Sequence, residues 1–237
     1  MKEYIKLPKT RIIPDSSIEK QRLSDDVWIN YIFHIVLKYS SIDKKEISNL
    51  IQEELKKGHS QVEELIKNHI YTWYKKARKT DKQIGIWRII LKLEPKSDSL
   101  KGYCDLQFLH SDWDKYFVFE AKNLGKIKSM TQSASINEYV YNKAKKDGGM
   151  YRFFTKKYAC DFDFGGMLGF VVGTVKGEII NNLINKIQDT YKTNLNGKLI
   201  DEMFILNSIA DNKNTFTTFH SRNGKKFKLY HILVYLN

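Results

Sequence analysis

Cysteine, proline and long apolar runs are scarce in this chain, and each scarcity removes a class of protein. Cys104 and Cys160 are the two cysteines in 237 residues. They stand far apart and form no C-x-x-C, which argues against a disulfide scaffold and a zinc cage and fits a reducing compartment. Three prolines, with no internal repeat and no low-complexity tract, leave no evident linker. No stretch approaches the roughly 18 apolar residues of a membrane span, and the opening MKEYIKLPKTRIIPDSS lacks the apolar segment of a secretory signal. A cytoplasmic protein without membrane association is the expectation. No G-x-x-x-x-G-K-[ST] occurs, so an ATP-driven motor is not expected.

Acid is also in the minority. Lys and Arg number 40 against 27 Asp and Glu, a formal charge of +13, and such a field attracts polyanions. Nucleic acid is the first candidate, an anionic membrane surface the second, and plain solubility the bland alternative. The hydrophobic content of 42% is enough for one sizeable core. A single compact body is expected, with residues 1–60 as a helical extension packed on a core of residues 61–237.

Three helices lead the chain. SDDVWINYIFHIVLKYS carries an N-cap signal at Ser24 and is apolar almost all round. SSIDKKEISNLIQEELKKGHS puts Ile47, Leu50, Ile51 and Leu55 on one stripe with Gly58 as a stop, and SQVEELIKNHIYTWYKKARK does the same with Val62, Leu65, Ile66, Ile70 and Trp73. The period then falls from about 3.6 to about 2: IGIWRIILKLEP, GYCDLQFL and KYFVFEAK read as strands, the last two joined by the turn-like HSDWD. A helix over SASINEYVYNKAKKD, ended by Gly148 and Gly149, precedes the apolar strand GGMLGFVVGTV. GEIINNLINKIQDTYK is an amphipathic helix, and Asn223-Gly224 between two alternating runs signals a hairpin with a two-residue turn. The expected fold class is α/β, a sheet flanked by helices.

Within YFVFEAKNL, alternation puts Tyr116, Val118, Glu120 and Lys122 on one face and Phe117, Phe119 and Ala121 on the other. A hairpin closed symmetrically over HSDWDK sets Leu109 opposite Tyr116, Gln107 opposite Val118, and Asp105 opposite Glu120. Two carboxylates facing each other across a pair of strands are destabilising unless something compensates them, and a hard divalent cation is the natural compensator. Lys122, one pleat further on, places an ammonium beside such an ion, where it orients a water or steadies developing negative charge. The competing explanation is a structural Glu120–Lys122 pair at a strand end, with Asp105 an ordinary acid beside a turn.

Asp105, fourteen intervening residues, then Glu120-Ala121-Lys122 on an apolar strand followed by a helix resembles the PD-(D/E)xK, or restriction-endonuclease-like, nuclease superfamily. The likeness spans roughly Gln61 to Thr174 and includes the expected order of helix, three strands, helix and apolar strand. It implies a restriction-endonuclease-like core, a mixed central sheet flanked by helices, in which Asp105, Glu120 and the backbone carbonyl of Ala121 ligate Mg²⁺, with Mn²⁺ able to substitute, while Lys122 assists the attacking water. The implied activity is phosphodiester hydrolysis by a deoxyribonuclease acting internally, DNA rather than RNA being the favoured substrate. Cys104 stands where the name-giving proline would be. Many members add an acid from the helix before the sheet, which makes Glu54 and Glu63 candidates, and some add a polar residue from the helix after E-x-K, which points to Gln132 and Lys143. YRFFTKKYACDFDFGGMLGFVVG and LYHILVYL are similar to small bacterial nucleases of anti-phage defence, so a homodimer or a defence-complex partner joins the expectations. A non-catalytic nucleic-acid-binding module that keeps the fold is the alternative.

Lys75, Lys76, Arg78 and Lys79, and Lys143, Lys145 and Lys146, interleave with Trp73, Tyr74, Tyr139 and Tyr141, a pattern suited to phosphate contact with base stacking or to a solvated helix face. Arg152, Lys156 and Lys157 form a third basic group, read as a loop over the substrate. His231 falls among Phe227, Leu229 and Leu233, as a core histidine would, and His69 lies within the stripe of its helix.

Overall fold

Alternation in the strands and 3.6-residue stripes in the helices meet in two apolar layers, one on each face of a sheet. The structure, a computed structural model, describes residues 23–57, 61–95, 103–192, 196–206 and 209–236, with residues 201–203 described by backbone alone. Its elements run α1 (Asp25–Ser40), α2 (Lys45–Lys56), α3 (Val62–Thr80), α4 (Lys82–Ile86), β1 (Ile90–Leu93), β2 (Leu106–Leu109), β3 (Tyr116–Leu124) and α5 (Gln132–Val140). Then follow α6 (Gly149–Phe154), β4 (Phe164–Val171), α7 (Ile179–Tyr191), β5 (Lys198–Leu206), β6 (Thr215–Arg222) and β7 (Lys225–Tyr235).

The strands form one mixed sheet in the order β1-β2-β3-β4-β7-β6-β5. β1, β2 and β3 are an antiparallel meander, β3, β4 and β7 are parallel, and β7, β6 and β5 are antiparallel again. Phe117, Phe119 and Ala121 of β3 pack with α1, α2 and α3 in one buried cluster. Val118 and Leu124 of the same strand pack with α5, α6 and α7 in the other. α1 and α2 share the first of these clusters with α3 and the sheet.

Most elements fall where the periodicity puts them, and the departures have local causes. The strand expected from Ile84 begins only at Ile90, because the Asp81 side chain accepts the N–H groups of Gln83 and Ile84 and starts the short helix α4. The helix expected to reach Asp147 stops at Val140. There the Asn142 side chain accepts the N–H groups of Ala144 and Lys145, and the backbone turns. Gly149 then opens α6 rather than ending a helix. β5 escaped the period-2 pattern because its pairing with β6 shifts register between Leu199 and Phe204. Gly58 lies outside the described residues. Asn223 and Gly224 have φ of 52° and 76°, the positive pair that a type I′ turn requires. Among the described residues, no helix is long and apolar enough to cross a membrane.

Candidate metal and catalytic site

Ala121 lies where β3 has outrun its neighbour. The β2–β3 ladder ends at Leu106↔Phe119, while β3 stays paired with β4 as far as Leu124↔Val171. A strand residue points its N–H and C=O to the same side, so both groups of Ala121 face a partner strand that has ended and need other partners. Asp105, one residue before β2, takes the N–H: its Oδ2 lies 2.7 Å from the Ala121 nitrogen. Lys122 meets the carbonyl, Nζ to O 2.6 Å. Gln107↔Val118 and Leu109↔Tyr116 pair as the symmetric hairpin requires, and Asp105 arrives beside Glu120 for that reason.

Lys122 gathers the site. Its Nζ lies 2.8 Å from Glu120 Oε1, 3.3 Å from Glu63 Oε1 and 3.9 Å from Asp105 Oδ2, besides the Ala121 carbonyl. Burial opposes its charge, but Glu120, Glu63 and Asp105 outweigh burial and hold its pKa above the ordinary lysine value. It is an ammonium at neutral pH, a donor and not a base.

Glu120 is fully buried, and burial is the main reason its carboxyl is pushed up; Lys122 and Arg152 pull against burial and the Asp105 charge, leaving it at about 7. Its Oε1 is held by Lys122 and by Arg152 Nη1 at 2.7 Å. Its Oε2 has no hydrogen-bond partner among the described residues. Gly149 leaves room beside it, since a Cβ there would come within 3.4 Å of Glu120 Cγ and 2.6 Å of Met167 Cε. Asp105 differs: burial raises its pKa, yet Lys122, Lys67 and the Ala121 N–H prevail and keep it below the usual carboxylate range. Glu63 is raised by burial, against Lys122.

Several members of this cluster were not read from the sequence. Lys67, 4% exposed, spends its ammonium on Glu94 Oε1 at 2.6 Å, Asp105 Oδ1 at 2.8 Å and Glu64 Oε2 at 3.0 Å. Its signal was the i, i+4 pair Glu63–Lys67 running into the buried positions Ile70 and Tyr74 on one helical face. Asp147, held by Arg152 at 2.8 Å and lowered to about 2, and Tyr158, 3.3 Å from Arg152 Nη1, had no local signal.

Of the two upstream acids, Glu63 joins the cluster. Glu54 sits half-buried on α2, outside it. Arg152 lies on α6 and grips Glu120 and Asp147, which differs from the substrate loop expected of it. Lys75, Lys76, Arg78, Lys143 and Lys156 are exposed. Gln132 bonds the backbone O and N of Lys176, at 2.9 and 2.7 Å, and so ties α5 to the loop after β4. His231 is a core histidine, between the Tyr139 hydroxyl at 2.9 Å and Thr218 Oγ1 at 3.0 Å.

The donors Asp105 Oδ2, Glu120 and the Ala121 carbonyl are all hard oxygens. Mg²⁺ asks for one or two carboxylates and keeps several waters, so it does not need the closed cage of three or more His, Cys, Asp or Glu that is absent among the described residues. The unpartnered Glu120 Oε2 is a costly orphan unless something binds it. These residues fit Mg²⁺ or Mn²⁺. No protein-family model, curated protein or solved structure matches the chain.

Proposed function

We propose that the chain is a metal-dependent nuclease with a restriction-endonuclease-like core, cutting DNA in preference to RNA. Asp105, Glu120 and the Ala121 carbonyl hold Mg²⁺, and Lys122 stands beside the scissile phosphate. One observation carries the reading: a single cation, the Lys122 ammonium, lies 2.6 Å from the Ala121 carbonyl, 2.8 Å from Glu120 and 3.9 Å from Asp105. Oxygens from β3 and from the residue before β2 thus converge on one positive charge where the β2–β3 ladder ends. The order α3, β1, β2, β3, α5, β4, with the short α4 and α6 interposed, and the place of the cluster, where the sheet turns from antiparallel to parallel, support the same reading. So does a cluster of carboxylates, Asp105, Glu120 and Glu63, gathered around Lys122 in a chain of formal charge +13.

Bound Mg²⁺ would supply Lewis acidity and a water of lowered pKa. The rest falls to the protein. Asp105 is ionised ahead of ligand binding, fixed by Lys67 and the Ala121 N–H. Glu120 presents Oε2 while Arg152 and Lys122 hold Oε1. Lys122, as a protonated donor, stabilises charge on the phosphoryl oxygens. The exposed cations of α3 contact backbone phosphates. A role in anti-phage defence rests on the sequence resemblance.

A non-catalytic binding module is the second reading, favoured by the way Lys122 and Arg152 already neutralise Glu120. Plasmid DNA and a structured RNA, each incubated with Mg²⁺ and then with EDTA, separate the two. The nuclease reading requires Mg²⁺-dependent cutting that Glu120→Ala and Lys122→Ala abolish; shifted but intact nucleic acid, equal in wild type and variants, supports the binding module.

A further inference from the structure

We infer that Lys67 is a built-in cation that reserves Oδ1 of Asp105, so that the site takes one divalent ion and not a pair. The inference rests on the nuclease reading and deepens it by fixing the number of ions.

Asp105 has two oxygens and both are committed. Oδ2 lies 2.7 Å from the Ala121 nitrogen and 3.9 Å from Lys122 Nζ. Oδ1, the oxygen on the α3 side, accepts from Lys67 Nζ at 2.8 Å. In a two-ion phosphodiesterase the ions stand about 3.5–4 Å apart and share a carboxylate. Here the place on the α3 side of that carboxylate is filled by an ammonium, and its surroundings are those a hard divalent ion would want: Asp105 Oδ1, Glu94 Oε1 at 2.6 Å and Glu64 Oε2 at 3.0 Å. Three ammonium donors meet three carboxylates.

An incoming ion would have to expel Lys67 from this nest. The lysine is 4% exposed and projects from a helix whose next positions on that face, Ile70 and Tyr74, are themselves buried. Expulsion would strand a buried charge without its partners. Lys67 therefore acts on the chemistry through Asp105: it is a positioning residue that keeps Oδ2 turned to the first ion. The fixed charge also replaces what a second ion would contribute electrostatically, with no dependence on metal concentration.

Mn²⁺ titrated into the full-length protein, with free ion read by electron paramagnetic resonance, counts the sites directly. Wild type should bind one Mn²⁺ per chain, Lys67→Arg one, and Lys67→Met two, the second in the vacated nest. Two ions on wild type overturn the inference and leave the nuclease reading standing; one ion on a folded Lys67→Met also overturns it. No ion on wild type sinks the nuclease reading itself, and the inference with it. Should Lys67→Met fail to fold, the wild-type count decides alone, one in favour and two against.

Discussion

The Lys122 ammonium and the Glu120 carboxylate, two residues apart on one strand, lie 2.8 Å from each other with the glutamate wholly buried. Neither side chain is tolerable there alone. Removing one partner of a buried pair costs about 3–5 kcal/mol, softened here because Arg152 also holds Glu120. Lys122→Met should lower metal-free stability by about 3 kcal/mol in urea titrations and lower DNA cutting by about 100-fold or more. A Lys122→Met protein that cuts at the wild-type rate would remove the lysine from the chemistry.

Arg152 grips Glu120 on one side and Asp147 on the other, so its effect on turnover should pass through the glutamate. Arg152→Met should reduce kcat by about 10-fold to 100-fold, as a misplaced catalytic group does, with KM for DNA nearly unchanged. A raised KM with intact kcat would restore the substrate-contact role expected from the sequence.

The exposed Lys75, Lys76 and Arg78 on α3 are the reverse case. Each phosphate contact contributes about 0.9 to the slope of log affinity against log salt. Replacing all three with Ala should flatten that slope by about 2 to 3 and leave cutting at saturating DNA intact. An unchanged slope would mark them as a solvated face.

A buried chain of neutral groups sets the response to acid. The Gly197 carbonyl only accepts, so His220 donates to it through Nδ1 at 2.7 Å. His220 Nε2 then accepts from Thr218, at 2.8 Å, and Thr218 accepts from His231, at 3.0 Å. Burial pushes His220 down from 6.5 to about 4. Above pH 6.5 the histidine is neutral folded or unfolded; between 6.5 and 4 the unfolded chain takes up a proton that the fold refuses, and stability is lost as pH falls. The stability difference between wild type and His220→Gln should shrink by up to about 3 kcal/mol from pH 6.5 to pH 4 and stay constant above. A difference flat across that range would mean that His220 is protonated in the fold.

How much of this was legible depended on whether the cause was local. The β2–β3 register followed from a symmetric closure over HSDWDK, and Asn223-Gly224 announced its hairpin, because both are set by neighbours in sequence. α4 and the early end of α5 were misread because single side chains, Asp81 and Asn142, captured backbone N–H groups that a periodicity count ignores. Asp105, Glu120 and Lys122 could be grouped from the sequence because the hairpin register carries Asp105, just before β2, to the β3 residues beside it. Lys67 and Arg152 were not found as partners of the acids, since α3 and α6 bring them to Asp105 and Glu120 from 38 and 32 residues away, and Asp147 enters only through Arg152.

A crystal of the full-length protein soaked in Mn²⁺ offers the sharpest check, read from the anomalous signal of the ion. The proposed chemistry requires a peak bonded to Asp105 Oδ2, a Glu120 oxygen and the Ala121 carbonyl, with the Lys122 ammonium displaced to its flank. An ion bound elsewhere, or none while Lys122 keeps its grip on all three oxygens, would contradict it.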